Sequence, residues 1–222
     1  MVRRLIVAID GPSGAGKGTV ARTVSQALGY RHVDTGAMYR AVGWKAQHDG
    51  IPLDDEEAVA ALARRADIIV EGGVVSIDGH DITRAIRSAE IDKAAAGVAR
   101  LPKVREVLVA RQRQIGEQRG VVMDGRDIGT VVFPEADVKI YLDASQEERA
   151  RRRANDPAHT GGLAGEAAVA ASIEARDKSD TTRTASPLTL APDATLIDTT
   201  GMPIDEVVSR VMELVNEKPG RS

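Results

Sequence analysis

The most informative stretch of the sequence is Gly11-Pro12-Ser13-Gly14-Ala15-Gly16-Lys17-Gly18-Thr19. It follows a five-residue aliphatic run, Leu5–Ile9, and opens an amphipathic helical pattern that Gly29 is placed to end. Glycines let the backbone approach a polyphosphate closely, and the N-terminus of the helix and Lys17 add positive charge there. Glycine-rich turns before helices are common, but the complete spacing between a strand and a helix predicts a nucleoside triphosphate site formed by all nine residues.

One position departs from the usual phosphate-loop pattern, which has Ser or Thr after the lysine to bind Mg²⁺. Gly18 stands there and Thr19 follows. Since glycine has no hydroxyl, we assign no firm metal ligand and expect Mg²⁺ to be held by ATP phosphates, water, and Thr19 or a carboxylate. The Gly-Lys-Gly-Thr form resembles nucleoside monophosphate kinases rather than GTPases or motor ATPases, which favours phosphoryl transfer to a small molecule.

The rest of the chain alternates short aliphatic runs with helical patterns. Further strands are predicted at Val121–Met123, Val138–Leu142 and Thr195–Ile197. This order indicates a three-layer α/β/α sandwich with a mostly parallel sheet buried on both faces. Two stretches interrupt it: Ile68–Ile86 has the turn-rich pattern of a small β hairpin or meander, and Asn155–Gly165 has the composition of a mobile loop.

Composition narrows the class of protein. The chain has 222 residues, of which 42% are hydrophobic and 28% charged, which is typical of one globular domain. Aromatic residues make up only 2% and the net charge is −3, which argues against a single-stranded nucleic-acid surface or a general polyanion binder. There is no cysteine and no run long enough for a membrane span, so we expect a cytoplasmic protein with no membrane or nucleic-acid partner. We expect a monomer.

Two other segments concentrate charge where ligands bind in α/β proteins. Asp34-Thr-Gly-Ala-Met-Tyr-Arg40 begins at a predicted helix start, where Asp34 can cap the helix and Arg40 can hold a phosphate. Asp124-Gly-Arg-Asp-Ile-Gly-Thr130 ends a buried strand, where charges are costly unless they bind something. Structural pairing of Arg126 with a neighbouring aspartate is the alternative. The four histidines, His32, His48, His80 and His159, lack metal-ligand spacing, which indicates surface or structural roles.

Together with the phosphate loop and Val104-Arg105, these segments resemble the bacterial-type cytidylate kinase family, over nearly the whole chain. The resemblance implies ATP and CMP or dCMP as substrates and Mg²⁺ as cofactor. It also implies a core of residues 1–33, 101–150 and 166–222, a monophosphate-binding insert of residues 34–100 and a lid of residues 151–165. The catalytic residues that it implies are Lys17, Arg126, Arg153, Arg176 and Arg183. The CMP-binding residues that it implies are Thr35, Arg40, Arg105, Asp124, Arg126 and Asp180, with Arg105 and Asp124 reading cytosine.

One residue departs from the family pattern near the base. The family often has a serine there, whereas this chain has Ala96, and loss of one hydrogen bond is worth on the order of 1 kcal/mol. A softer preference for cytosine, with more UMP or dCMP accepted, is therefore expected. Two other functions fit the phosphate loop alone: a kinase for a different small acceptor, and an ATP-dependent switch that catalyses no transfer to a second ligand.

Overall fold

A computed structural model describes residues 4–156 and 166–218. Within them the strands form two sheets, a five-stranded parallel sheet in the order β2-β6-β1-β7-β8 and a three-stranded antiparallel sheet in the order β3-β4-β5. The strands are β1 (Ile6–Asp10), β2 (Arg31–Asp34), β3 (Ile68–Glu71), β4 (Val74–Ile77), β5 (His80–Asp81), β6 (Val121–Gly125), β7 (Val138–Asp143) and β8 (Thr195–Asp198). The predicted α/β fold with a parallel sheet is confirmed.

The helices follow the strands as the sequence pattern indicates. The first ends at Gly29, which has the left-handed conformation (φ 64°) that favours glycine after a helix. The helices are α1 (Lys17–Leu28), α2 (Thr35–His48), α3 (Glu56–Arg65), α4 (Ala89–Val98), α5 (Pro102–Gly116), α6 (Gln146–Ala154), α7 (Glu166–Thr182) and α8 (Ile204–Asn216). A single 3₁₀ turn at Ala85–Arg87 and a π-helical turn at Ile128–Val132 complete the described elements.

The main sheet is buried on both faces, and β1 shows how. Ile6 and Ala8 pack into a core shared with α2, α3 and α5, whereas Val7 and Ile9 pack into a second core shared with α1 and α8. Successive side chains of a strand point to opposite faces, so a strand covered on both sides must be apolar at every position. This explains the uninterrupted aliphatic runs and the predominantly aliphatic core.

Polar residues collect at one edge of this sheet. Asp10 ends β1, Asp34 ends β2, and Asp124 and Gly125 end β6; in register, Asp34 pairs with Asp124 and Asp10 with Gly125. Because all five strands are parallel, their carboxyl ends meet at the same edge, which is where open α/β sheets bind ligands. The phosphate loop leaves the sheet at this edge.

The small sheet confirms the predicted β-containing insert. Its β3–β4 turn contains Gly72 and Gly73, both with positive φ (59° and 86°), as a tight two-residue hairpin requires. Of the predicted lid, residues 151–154 complete α6, and residues 157–165 lie outside the described part of the chain. No helix among the described residues is long and apolar enough to span a membrane.

Candidate active site

The phosphate loop is shaped by glycines that no other residue replaces without strain. Gly11, Gly14 and Gly16 all have positive φ, at 146°, 81° and 89°. A Cβ atom on Gly11 would lie 2.0 Å from the carbonyl oxygen of Leu142, so the loop passes directly against β7. Gly16 precedes α1, and no side chain caps this helix. The first N–H groups of α1 are therefore directed toward an anion in the cleft.

Lys17 is the cation of this loop. Its ammonium is buried and donates a hydrogen bond to the carbonyl oxygen of Pro12 at 2.6 Å. Burial and the nearby charge of Arg126 lower its pKa well below the usual value, and Asp124 and Asp10 oppose them. A polyphosphate in the loop would supply the negative charge that favours the ammonium form.

Asp124 faces the phosphate loop rather than Arg105. One carboxylate oxygen is 2.8 Å from Nε2 of His32, and the other would lie 3.9 Å from a Cβ atom on Gly18. The hydroxyl of Thr35 donates to the backbone carbonyl of Asp124 at 2.8 Å. Burial works against a charged imidazole, but the hydrogen bond and charge of Asp124 outweigh it and raise the pKa of His32. His32 therefore contacts a residue that the sequence assigns to the site, and it lines the cleft itself.

A buried ion network lies behind the cleft wall. Arg105 is paired closely with Asp127, which is also 3.7 Å from Arg183. Arg183 lies 3.7 Å from Asp180, and Asp180 accepts from Nε of Arg126 at 2.8 Å. The chain of contacts therefore links α5, the segment directly after β6, and the C-terminal end of α7 by alternating charges. The sequence analysis left open that Arg126 pairs with a neighbouring aspartate. In the structure its partner is Asp180, which is 54 residues away.

Burial acts differently on the two carboxylates of this network. It raises the pKa of Asp127, and the charges of Arg105 and Arg183 compensate only in part. For Asp180, burial is outweighed by Arg126 and by the further arginine Arg176, and its pKa is lowered. The Arg105 guanidinium also lies over the ring of Tyr39, 5.5 Å from its centroid, which fixes its plane.

A second group of arginines faces the cleft from three helices. Arg40 on α2 is 2.9 Å from Asp34 and 4.0 Å from Asp92, and Arg176 on α7 is 3.2 Å from Asp92. Arg153 on α6 makes a close pair with the same Asp92. Among the described residues, Nε of Arg40 and Nε of Arg176 are buried without a hydrogen-bond acceptor. These guanidinium groups therefore have donors to spare for an oxyanion.

The cleft between the loop and the arginines has a volume of about 780 Å³. Of the sequence-predicted site residues, it is lined by Ser13, Gly14, Ala15, Gly16, Lys17, Gly18, Thr19, Arg40, Asp124, Arg126, Arg153 and Arg176. Thr35 and Asp180 are buried and contact the cleft residues Asp124 and Arg126. Arg105 and Arg183 are buried farther back and contact Asp127, which does not line the cleft. Gly11 and Pro12 form the base of the loop, also buried. Most of the predicted residues thus lie at or directly behind one cleft, whereas Arg105 and Arg183 belong to the ion network behind its wall.

Three residues of this region were not assigned a ligand role from the sequence: Asp10, Asp92 and Asp127. Asp10 accepts from the backbone N–H groups of Ile128 and Gly129 at 2.8 and 2.7 Å, which ties the end of β1 to the segment after β6. Burial raises the pKa of Asp10 to about 6 against these two hydrogen bonds. Its place directly before the glycine loop was the one indication in the sequence. No group of three or more Asp, Glu or His residues in the described chain is arranged to hold a metal ion.

Comparisons with known proteins agree with this geometry. The family model for cytidylate kinase matches residues 7–217. The chain is 49% identical to a cytidylate kinase of Desulfitobacterium hafniense, over 98% of this chain and 95% of that one. It is 47% identical to a cytidylate kinase of Geobacillus kaustophilus, over 99% and 100% of the two chains.

Solved structures of lower identity share the fold. A gluconokinase from Sinorhizobium meliloti superposes with a TM-score of 0.52 at 13% identity, covering 97% of this chain and 94% of that one. A shikimate kinase from Acinetobacter baumannii superposes with a TM-score of 0.50 at 14% identity, covering 96% and 93%. These likenesses support the α/β fold, and the sequence comparisons support the family.

Proposed function

This chain belongs to the cytidylate kinase family, and we infer that its cleft transfers the γ-phosphoryl group of ATP to CMP. The observation that carries this inference is the presence of two anion sites facing one cleft. The backbone loop with Lys17 forms the first, and the arginine group with Arg40, Arg153 and Arg176 forms the second. A nucleotide-dependent switch would need only the first site, so the second favours transfer between two phosphorylated ligands.

The chemistry requires no covalent intermediate with the protein. An oxygen of the CMP phosphate attacks the γ-phosphorus in line, the bond to the β,γ-bridging oxygen breaks, and that oxygen leaves with ADP. The attacking oxygen is already anionic near neutral pH, so no general base is needed. The protein contributes positioning and neutralisation of charge on the transferring group. We assign these roles to Lys17, Arg126, Arg153 and Arg176, which all line the cleft.

Arg183 has a different position from these four. It is buried between Asp127 and Asp180. We therefore propose that Arg183 holds both carboxylates in place. Direct contact of Arg183 with phosphate remains a prediction from the sequence, and it requires this side chain to leave the ion network.

Base recognition is proposed around Arg105. Cytosine presents an amino donor at N4 and acceptors at N3 and O2, so an arginine with a carboxylate reads this edge well. The sequence pairs Arg105 with Asp124, whereas the contacts favour Asp127 as its partner and place Asp124 beside the phosphate loop. Asp180 stays the candidate for the sugar hydroxyls, held by Arg126. Activity on dCMP tests how much that contact contributes.

Mg²⁺ is the proposed cofactor, bound mainly through ATP. It normally takes one or two protein carboxylates together with phosphate oxygens and water. Asp124 and the exposed Thr19 both line the cleft beside Gly18, and their oxygens suit such a site. When bound, Mg²⁺ would neutralise charge on the phosphates. The carboxylate held by His32 is then the protein's strongest candidate ligand.

Three further proposals concern organisation. We propose that residues 1–33, 101–150 and 166–222 form the core, that residues 34–100 bind the monophosphate, and that residues 151–165 form a lid. We propose a monomer. A single species at about the mass of one chain in light scattering would support it. We also propose a cytoplasmic location, because the reaction consumes ATP and a nucleoside monophosphate.

A coupled assay of ADP production tests the function. Steady-state rates with CMP, dCMP, UMP and AMP are measured under saturating ATP and Mg²⁺. We expect kcat/KM for CMP to exceed that for UMP by about tenfold or more, since one mismatched buried polar contact costs roughly 1–3 kcal/mol. Activity confined to AMP or to an unrelated acceptor would contradict the proposal. So would ATP hydrolysis that no acceptor stimulates.

A further inference from the structure

Asp92 is the one carboxylate that contacts all three arginines of the second anion site, as far as the described chain shows. It lies on the first turn of α4, within the proposed monophosphate-binding insert. Its partners come from three other helices: Arg40 from α2, Arg153 from α6 and Arg176 from α7. A single side chain thus connects the insert to the start of the proposed lid and to the core.

The contacts of Asp92 have the form of a bound oxyanion. Oδ1 lies 3.2 Å from Arg176 and 4.0 Å from Arg40, and Oδ2 pairs with Arg153. All four side chains are mostly buried and line the cleft. Guanidinium groups prefer an acceptor for each N–H, and phosphate offers more oxygens than a carboxylate does. The spare Nε donors of Arg40 and Arg176 show that Asp92 satisfies this group incompletely.

We propose that Asp92 is an internal competitor for the acceptor phosphate: Asp92 pairs with the three arginines and must release them when CMP binds. The proposal rests on the proposed function in that CMP is the acceptor. Such a competitor lowers the apparent affinity for phosphate by the fraction of molecules in which the arginines are released. It also keeps three like charges neutralised while the site holds no ligand, and it ties α4 to α6 and α7 in that state.

The test compares Asp92→Asn and Asp92→Ala with wild type and with Glu90→Gln. Glu90 is a matched control because it lies on the same first helical turn of α4 but is exposed. Inorganic phosphate is the probe, and its dissociation constant is measured by calorimetry on the full chain, without turnover. KM for CMP and the melting temperature of the free protein are measured in parallel.

If Asp92 is a competitor, its removal should strengthen phosphate binding and lower the stability of the free protein. In both Asp92 variants, phosphate should bind about five- to tenfold more tightly and KM for CMP should fall by a similar factor, because ion contacts no longer have to be broken first. The melting temperature of the free protein should fall, since the arginines then repel one another. Glu90→Gln should stay within about twofold of wild type in both binding measurements.

If Asp92 only positions the arginines, its removal should not strengthen phosphate binding. Phosphate affinity that is unchanged or weaker in both variants, with KM unchanged or raised, would overturn the proposal. The phosphate measurement needs no catalysis, so it remains decisive even if wild type failed to phosphorylate CMP. That failure would remove the proposed acceptor and would leave the competition between Asp92 and a phosphate to be judged by binding alone.

Discussion

The two phosphate sites that we propose, a donor half for ATP and an acceptor half for CMP, are built in different ways. The donor half is made of backbone: nine consecutive residues, three glycines with positive φ, and one cation, Lys17. The acceptor half is made of side chains from α2, α6 and α7, and each of its arginines faces a carboxylate of the same chain. A backbone cradle is complete before the ligand arrives, whereas paired side chains must exchange partners when it binds. We therefore expect the donor half to be preorganised and the acceptor half to exchange an internal anion for the phosphate of the ligand.

The largest effect expected from this difference is the loss of Lys17. Lys17 is the one cation within the nine-residue loop and is buried there, so Lys17→Ala should lower kcat by about 10³-fold or more. The fold should be retained, because among the described residues the Lys17 ammonium has one hydrogen-bond partner, the carbonyl oxygen of Pro12. The measurement is kcat with CMP, together with the circular dichroism spectrum. Lys103→Ala, at an exposed lysine on α5, serves as control.

A Lys17→Ala variant that keeps more than about a tenth of the wild-type turnover would contradict this assignment, since a tenth is only ~1.4 kcal/mol. Such a result would also mean that the two halves do not differ in this respect, because several cations would then share the charge in the donor half, as they do in the acceptor half.

Asp10 tests how the two halves are joined. Burial raises its pKa from 3.8 to about 6, so between these values the native state binds the proton more strongly than the unfolded state does. The free energy of unfolding should therefore fall as pH rises from about 4 to about 6, by roughly 2–3 kcal/mol, and then level off. Asp10→Asn does not titrate, and its curve should lack this decline.

The quantity to measure is the difference in unfolding free energy between wild type and Asp10→Asn, by urea titration at several pH values. Other groups titrate equally in both proteins and cancel in this difference. A difference that is constant with pH, or that grows in favour of wild type as pH rises, would mean that the N–H groups of Ile128 and Gly129 fully compensate for burial of the charge.

The sequence predicts the donor half better than the acceptor half, because the donor half is built from consecutive residues. The donor loop is contiguous, so its glycines, its lysine and the flanking strand and helix are all apparent in residues 5–28. The β-containing insert was equally local, because Gly72-Gly73 dictates a hairpin. The fold class followed from aliphatic runs that only a sheet covered on both faces explains.

The partners in the acceptor half could not be predicted in this way. Arg126 pairs with Asp180 across 54 residues, and Arg153 with Asp92 across 61. Nothing in the local pattern specifies which of several aspartates a given arginine meets, because ion pairs carry no periodicity along the chain. The resemblance to a family identified most of the arginines, but no local pattern indicated that Asp92 lies among them.

Base selectivity tests which of two aspartates, Asp124 or Asp127, recognises cytosine. Asp127 is paired with Arg105, so Asp127→Asn should narrow the ratio of kcat/KM for CMP over UMP by about tenfold. Asp124 lies beside the phosphate loop, so Asp124→Asn should lower activity on both nucleotides by similar factors. The two variants have the same chemistry and serve as controls for each other.

The reverse outcome would restore the assignment from the sequence. If Asp124→Asn narrowed the CMP-to-UMP ratio and Asp127→Asn left it unchanged, cytosine would be read by Asp124. The Arg105–Asp127 pair would then be a structural ion pair. Melting temperatures of both variants show whether loss of a buried partner, rather than loss of base reading, explains a fall in activity.

The smallest effect is expected at Gly18, the one glycine of the donor loop whose backbone conformation does not require glycine. Its φ is not positive, and a Cβ atom there would have no neighbour closer than 3.9 Å, from Asp124. Gly18→Ser should therefore fold, gain about 0.5 kcal/mol from helix propensity, and change kcat by at most about threefold. The added hydroxyl beside Asp124 should lower the Mg²⁺ concentration for half-maximal activity by about twofold.

Gly14→Ser is the matched control. Gly14 has φ 81°, and a Cβ atom there would lie 2.8 Å from the carbonyl oxygen of Arg149, so this variant should destabilise the fold by about 2 kcal/mol or more. Equal destabilisation by the two serines would mean that the whole loop, and not only its strained glycines, tolerates no side chain.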